Sequence, residues 1–391
     1  MKLEGIRVID LSMFLPGPHL TMMMVDQGAE VIRVEPPSGE PVRNVGYRTA
    51  DGWTTWFRNT HRGKKSVVLD LKSPLGRAAL MRLCESADVF LESFRPGVVA
   101  RLGIGPDAVR AVNPRIVYCS ISAFGQTGPE AGRPAHDIAI QALAGTVSLN
   151  LAPDGQPVNP GVPAADMAGS LMALAAILMA LLRRERTGRG DVIDMSMQDA
   201  LMSWLPNVVG PVFAEDRPPD PRNERSFGGH AFFRPYRTAD GRHVVLGGVE
   251  AKFVRTLLND LGRPDLIPAA EGPPGPGQAP VKAFLAETFA TRTRDEWEAW
   301  FRGRDVCFAP VLDLHEAFHR PHVAARGMLF RDSDGNLHIG MPIRFAEEPG
   351  RPDPRLPRLG AHTEEVLRAA GCSAEEIAAA LAAIVPADPE A

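Results

Sequence analysis

The sequence contains little cysteine and only a small excess of acidic residues, with a formal net charge of −4. Its four cysteines lie far apart and form no C-x-x-C pair: Cys84, Cys119, Cys307 and Cys372. This spacing fits neither a disulfide framework nor a zinc site, so we expect a reducing compartment and no bound metal. The 43 basic and 47 acidic residues nearly balance, so no overall field favours nucleic acid or an anionic membrane as a partner. An anionic ligand must therefore be held by a local group of cations.

Neither a signal peptide nor a membrane span is predicted. Residues 1–10 alternate apolar and charged side chains, whereas a signal peptide needs a continuous apolar segment. The longest uncharged apolar run, residues 167–182, is shorter than the ~20 residues that span a bilayer. We expect a cytoplasmic protein in which this run forms a buried core helix.

The length and composition are those of an ordinary globular enzyme. At roughly 100–200 residues per domain, the 391 residues allow two or three domains. Strand patterns alternate with helix patterns along the first half, with strands at 8–11, 31–34, 66–71, 89–91 and 116–122 and helices at 20–27, 75–87 and 106–113. This order predicts a parallel, doubly wound α/β sheet, whose ligands bind at the carboxyl ends of the strands.

The pattern changes in the second half of the chain. A helical segment at 198–209 runs into a proline-rich stretch, and an Asp240-Gly241 turn between two strand patterns predicts a hairpin. We expect a large α/β domain that begins with residues 1–200, a linker at 201–222 and a small α+β domain at 223–322. Residues 323–391 form a return linker and C-terminal helices that complete the large domain.

Four cations follow the predicted strands: Arg33, Lys72, Arg95 and Arg101. In a doubly wound sheet these positions converge on one crevice, where guanidinium and ammonium groups can hold phosphates. Taken singly, each is more often a solvated surface charge. No G-x-G-x-x-G follows the first strand and no Walker loop is present, so a dinucleotide or ATP site has little support.

Three further positions carry groups suited to acid–base chemistry, and each has an ordinary structural explanation as well. Asp166 heads the apolar helix and is equally explained as an N-cap. His136, followed by Asp137, lies in a loop, where a lone histidine is usually structural. Glu250 ends a small-domain strand and is explained as an acid in the first turn of a helix. Sequence spacing alone does not bring these residues together.

Several motifs in the same order resemble the family III CoA transferases, which include formyl-CoA and carnitine CoA-transferases and α-methylacyl-CoA racemases. The matching segments are Val8-Ile-Asp-Leu11, Pro16-Gly-Pro18, Gly28 to Pro36, Arg62 to Lys72, Phe94-Arg-Pro-Gly97, Gly125 to Pro129 and Thr187-Gly-Arg-Gly190. The resemblance covers nearly the whole chain. It implies a large Rossmann-like domain, a small domain and an intertwined homodimer of two interlocked rings.

The resemblance also implies which residues meet the substrate. The CoA part of an acyl-CoA thioester would be bound by Arg33, Leu69, Lys72, Ser93, Phe94, Arg95, Arg101, Ala135 and Asp137. In the transferases the aspartate matching Asp166 attacks the thioester and forms an aspartyl-acyl anhydride. The racemases instead use an aspartate and a histidine paired with glutamate, matching Asp166, His136 and Glu250, to exchange the α-proton of a 2-methylacyl-CoA.

Racemisation needs a base, an acid and dipoles for the enolate oxygen. We expect His136, held by Glu250, and Asp166 to fill the first two roles, and the helix amides near Asp166 to fill the third. Ala135 stands where racemases commonly have glycine, and Ile140-Gln-Ala142 resembles the transferases. The sequence therefore favours a homodimeric racemase, with CoA transfer to a free carboxylic acid as the alternative and a catalytically silent CoA-binding protein as a weaker one. CoA enters as part of the substrate, with no permanently bound cofactor and neither nucleic acid nor membrane as a partner.

Overall fold

The structure, a computed structural model, describes residues 1–152 and 154–384 and divides into two units. The first unit contains Met1–Ala144, Val162–Trp204 and the chain from Pro321 onward, and the second contains Gly145–Gly161 and Leu205–Arg320. Residues 145–161 thus belong to the second unit, although the sequence predicts them within the large domain.

The strands within the described residues are β1 (Arg7–Asp10), β2 (Glu30–Glu35), β3 (Lys65–Val68), β4 (Val89–Glu92), β5 (Val117–Ser122), β6 (Val192–Ser196), β7 (Phe233–Arg237), β8 (His243–Gly247), β9 (Phe308–Pro310), β10 (Leu329–Arg331) and β11 (Leu337–Ile339). The helices are α1 (Pro16–Asp26), α2 (Thr55–His61), α3 (Pro74–Glu85), α4 (Val98–Leu102), α5 (Pro106–Val112), α6 (Asp137–Leu143), α7 (Ala164–Thr187), α8 (Met197–Met202), α9 (Gly210–Glu215), α10 (Ala251–Asp260), α11 (Ile267–Ala270), α12 (Ala279–Phe289), α13 (Arg294–Phe301), α14 (Leu314–Phe318), α15 (Pro321–Ala325), α16 (Thr363–Ala369) and α17 (Ala374–Ala382).

A six-stranded parallel sheet forms the centre of the first unit, in the order β3-β2-β1-β4-β5-β6. Successive side chains of β1 point to opposite faces of the sheet and pack in two separate hydrophobic cores. Val8 packs with Leu20 of α1 and Ile177 of α7, whereas Ile9 packs with Leu80 of α3 on the other face. The predicted doubly wound parallel sheet is therefore confirmed. Its strand order reverses between β1 and β4, and the crevice at such a reversal is where these sheets bind ligands.

Helix α7 has 24 residues and is longer than its predicted apolar segment. One side is buried in the first unit, but Leu178, Met179 and Leu182 are exposed on the other, so the prediction of a buried core helix is correct for one side only. By length and composition this helix could cross a membrane, and 44% of its most apolar stretch is buried in the structure. Core helices of soluble proteins pass the same test.

The predicted helix at 198–209 is correct only for residues 198–202. Helix α8 ends at Met202, four residues before Pro206, which has no N–H to continue the helix and restricts the residue before it. In the second unit, β7 and β8 form the predicted antiparallel hairpin around Asp240 and Gly241, and β8 also pairs with β9.

Candidate active site

A cavity of about 450 Å³ lies in the first unit where the sheet order reverses. Its walls come from the segments that follow β1 and β4, from the end of β5, and from the starts of α6 and α7. Six of the predicted site residues line it: Ser93, Phe94, Arg95, Ala135, His136 and Asp166. The strand order thus brings together residues that are up to 73 positions apart in the chain.

A second cavity of about 590 Å³ adjoins the first, with Met13 and Phe94 in the walls of both. Three more of the predicted residues line it: Arg33, Leu69 and Lys72. Arg101 and Asp137 are not among the lining residues of either cavity in the described part of the chain. Glu250 is an exposed residue of the second unit, directly before α10, and its pairing with His136 stays a prediction.

Asp166 lies in the first turn of α7, and the start of that helix is capped from outside the helix. Pro163 occupies the N-cap position and offers no side-chain hydrogen bond. Asp137 supplies it instead, because its Oδ1 accepts the N–H of Ala165 at 2.8 Å and that of Asp166 at 3.1 Å. Its other oxygen, Oδ2, accepts from Nε2 of Gln141 at 2.6 Å. Asp137 therefore fixes the position of the candidate catalytic carboxyl group.

This capping overturns the expectation that the helix amides beside Asp166 serve as oxyanion donors. The N–H groups of Ala165 and Asp166 donate to Asp137, and those of Ala164 and Met167 donate to carbonyl oxygens just before the helix. All four N–H groups of the first turn are occupied within the chain. A remote carboxylate that replaces an N-cap is not visible in local sequence spacing.

The electrostatic setting of Asp166 favours its protonated form. Burial, and secondarily the negative charge of Asp137, raise the pKa of Asp166 from 3.8 to about 7. The carboxyl group therefore changes its protonation state near neutral pH, a property typical of acid–base catalysts.

His136 directly precedes α6, and its ring meets the edge of Phe14 with the ring centroids 6.0 Å apart. Phe14 adopts a left-handed backbone conformation with φ of 63°, which is strained for a bulky residue. The conformation is held because Oε1 of Glu40 accepts the N–H of Phe14 at 2.8 Å. Sequence reasoning missed Phe14, although it follows β1 at the strand end where ligands were expected.

Glu92 is a second residue that sequence reasoning missed. It is buried at the end of β4, and its Oε2 accepts the N–H of Phe94 at 2.7 Å. Ser93 joins the same turn to the segment after β1, because its Oγ accepts the N–H of Met13 at 2.9 Å. These two bonds position Phe94 at the junction of the two cavities and Arg95 in the wall of the first.

The predicted cations differ in their burial, because one of them is enclosed by the protein and others are exposed. Arg33 is only 1% exposed, and its guanidinium forms ion pairs with Glu40 and Asp10. Its donors are thus directed at carboxylates of the protein, and CoA binding by Arg33 stays a prediction. Lys72 and Arg95 are exposed and make no ion pair among the residues described, so their charges remain available to a ligand.

The amino-acid sequence matches the profile of CoA-transferase family III over residues 3–363. The chain belongs to CoA-transferase family III. It is 36% identical over 382 residues to human alpha-methylacyl-CoA racemase, covering 96% of this chain and 95% of the human protein. It is 34% identical to succinate–glutarate CoA-transferase of Agrobacterium fabrum, covering 93% and 94%. A CAIB/BAIF family protein from Brucella suis has a similar structure, with a TM-score of 0.82, 30% identity and coverage of 94% and 98%.

These comparisons confirm the predicted resemblance and its chemistry at the level of the family. The family III protein described here is an enzyme of the acyl-CoA racemase or CoA-transferase type, and an acyl-CoA thioester is the substrate that fits it. Both kinds of relative match nearly the entire chain, so the choice between the two reactions depends on the site itself.

Proposed function

We propose that the protein racemises the α-carbon of a 2-methylacyl-CoA by two-base proton exchange. The observation that carries this proposal is that Asp166 and His136 line one cavity, with the pKa of Asp166 raised to about 7 by burial and by Asp137. A general acid–base group is most effective when its pKa lies near the operating pH. A carboxyl group with this pKa can both accept and return a proton at neutral pH.

The exchange requires one residue of the pair to be deprotonated and the other protonated. The base removes the α-proton, the electrons of the C–H bond move toward the thioester oxygen as an enolate, and the acid protonates the α-carbon. For one enantiomer Asp166 is the base and His136 the acid, and for the other the roles are exchanged.

The two adjoining cavities suit the two parts of an acyl-CoA. The thioester belongs in the cavity that contains Asp166, and the CoA phosphates belong near Lys72 and Arg95, whose charges form no ion pair with described residues. Phe94 lies in the walls of both cavities, so one extended ligand can pass from one to the other.

One observation favours the alternative, CoA transfer between carboxylic acids. Arg95 and Arg133 line the same cavity as Asp166 and could hold the carboxylate of an acceptor acid. In this reaction Asp166 attacks the thioester carbonyl, CoA leaves as a thiolate, and an aspartyl-acyl anhydride remains. Both the nucleophile of transfer and the base of proton exchange must be ionised, and a pKa of about 7 leaves a large part of Asp166 ionised at neutral pH, so this pKa permits both reactions. The presence of His136 in the same cavity favours proton exchange, because that reaction needs a second acid–base group.

The experiment is incubation with one enantiomer of a 2-methylacyl-CoA in deuterated water, with and without added carboxylic acids. Mass analysis of the thioesters, together with separation of the enantiomers, distinguishes the reactions. Racemisation incorporates one solvent deuterium at the α-carbon without any acid present. Transfer produces a new thioester only when the acid is added, leaves the acyl chain free of deuterium, and yields an anhydride that hydroxylamine captures. The second result would overturn our preferred proposal.

We also propose that the enzyme is a homodimer located in the cytoplasm. The exposed apolar side of α7, which includes Leu178, Met179 and Leu182, supports a protein partner for this surface. The four unpaired cysteines support a reducing compartment. Light scattering should give twice the chain mass, and the dimer should persist on dilution because interlocked chains separate only after partial unfolding.

A further inference from the structure

A third cavity, of about 290 Å³, lies in the first unit at the end of α7 that is remote from Asp166. Three arginines line it: Arg110 of α5, Arg183 of α7 and Arg189 of the loop before β6. Arg183 follows Asp166 by 17 positions in the same helix, which corresponds to roughly 26 Å at 1.5 Å per residue. The cavity is therefore separate from the active site.

The three arginines form no ion pair within the described residues, although many other arginines of the chain do. Arg184, next to Arg183, pairs with Asp88 at 2.8 Å. Arg110 carries a buried Nε with no hydrogen-bond partner among the described residues. The lining includes one carboxylate, that of Asp191, whose Oδ1 accepts the N–H of Val192 at 2.8 Å. Three guanidinium groups and one carboxylate leave a formal charge of two positive units around the cavity.

The loop that carries Arg189 is fixed by its two glycines. Gly188 has φ of 69°, the left-handed conformation that ends α7. A side chain at Gly190 would place its Cβ only 1.9 Å from the carbonyl oxygen of Ile116, so that position requires glycine. Oγ1 of Thr187 also accepts the N–H of Arg189 at 3.3 Å. The arginine is thus presented from a rigid turn.

We propose that this cavity binds a small phosphate-bearing dianion. Guanidinium groups bind the oxygens of phosphate through paired N–H donors. A tetrahedral dianion offers enough acceptor oxygens for three such groups and matches the excess of two positive charges.

The test uses the full-length enzyme saturated with CoA, so that the active site is unavailable to phosphate. Isothermal titration calorimetry with inorganic phosphate should detect one site per chain. Arg183→Ala and Arg189→Ala should each weaken phosphate binding by roughly tenfold or more, because each removes a charge-assisted contact. Arg110→Lys keeps the charge but loses the planar donor set, so it should also weaken binding.

Arg186→Ala is the matched control, because Arg186 is an exposed arginine on the same helix that does not line the cavity. It should bind phosphate as the wild type does. Circular dichroism of each variant verifies the fold, and the acyl-CoA reaction rate without phosphate should be unchanged. Three results would overturn the proposal: no binding at phosphate concentrations up to about 10 mM, equal binding by all of the arginine variants, or binding of malonate as tight as that of phosphate.

Discussion

The backbone N–H of Asp166 donates to the side-chain carboxylate of Asp137, 3.1 Å away and 29 positions earlier in the chain. The pKa of Asp166 is raised mainly by burial and secondarily by Asp137, so one acidic side chain both fixes the start of the helix and adds to the raised pKa of the carboxyl group that the helix carries. In a conventional helix, an N-cap and the N-terminal dipole would stabilise the ionised form of a first-turn acid. Here the capping group is itself an anion close to that acid, so the local field acts in the opposite direction.

The first prediction concerns this pair. Asp137→Asn keeps an oxygen that can accept the two helix N–H groups but removes the negative charge. The pKa of Asp166 should therefore fall, while burial keeps it above its ordinary value. The pH dependence of kcat for α-proton exchange should move in the same direction. Asp107→Asn, in the first turn of α5, is the control and should leave the profile unchanged. An unchanged profile in the Asp137 variant would contradict the assigned role.

A second prediction follows for stability. The folded-state pKa of Asp166, about 7, lies above its ordinary value of 3.8. The protonated form therefore favours folding at low pH, and this contribution is lost as the pH rises through 7. Asp166→Asn removes a buried group that ionises unfavourably, so urea denaturation should give a higher free energy of unfolding at about pH 8, by roughly 1–4 kcal/mol. The gain should shrink at about pH 5. An equal gain at both pH values would rule out this origin.

The third prediction separates the two reactions by the unequal effects of two variants. If the enzyme is a racemase, Asp166→Asn and His136→Gln should each slow epimerisation by about 10²–10⁴-fold, because each removes an acid–base group. Each variant should retain more deuterium exchange from one enantiomer than from the other. If the enzyme is a transferase, Asp166→Asn abolishes transfer and His136→Gln is tolerated. Measuring exchange separately from each enantiomer gives the answer.

The fourth prediction distinguishes a structural arginine from a ligand-binding one. Arg33→Met leaves the buried carboxylate of Glu40 without its cation, although Asp10 keeps its pair with Lys64 at 3.3 Å, and should lower the free energy of unfolding by about 3–5 kcal/mol. Arg95→Met, at an exposed position, should leave stability within about 0.5 kcal/mol. It should weaken CoA binding by about 1.5–3 kcal/mol. Urea denaturation and calorimetry on both variants test the contrast. A stable Arg33→Met protein with lost CoA binding would reverse the assignment of Arg33.

Much of the fold could be predicted from the sequence, because the alternation of apolar residues reports which segments are strands and helices. Asp240 and Gly241 likewise identified their hairpin, since this pair suits the turn that joins two adjacent strands. The helix predicted at 198–209 ends at Met202, because the apolar pattern continues past Pro206 and the backbone helix does not. The absence of a backbone N–H at Pro206 prevents the helix from continuing through this segment.

The candidate site was predictable in its residue types and not in their interactions. Lys72 and Arg95 follow strands, whereas Arg33 lies within β2. Only the folded chain shows that Arg33 is paired with Glu40 and Asp10. The capping of α7 by Asp137 likewise depends on a contact between distant parts of the chain. Phe14 could have been found by asking which residues follow β1, but its left-handed backbone depends on Glu40.

The ion pairs enclosed behind β1 and β2 also determine how this part of the enzyme responds to temperature. Water solvates ions less favourably as it warms, so the cost of keeping Arg33, Asp10, Glu40 and Lys64 away from water declines. That cost is greatest in the cold. Glu40 also accepts the N–H of Phe14, which lines the candidate active site. The position of Phe14 therefore depends on how stable these buried ion pairs are. Cooling, rather than moderate warming, is therefore the change that weakens these ion pairs and the position of Phe14.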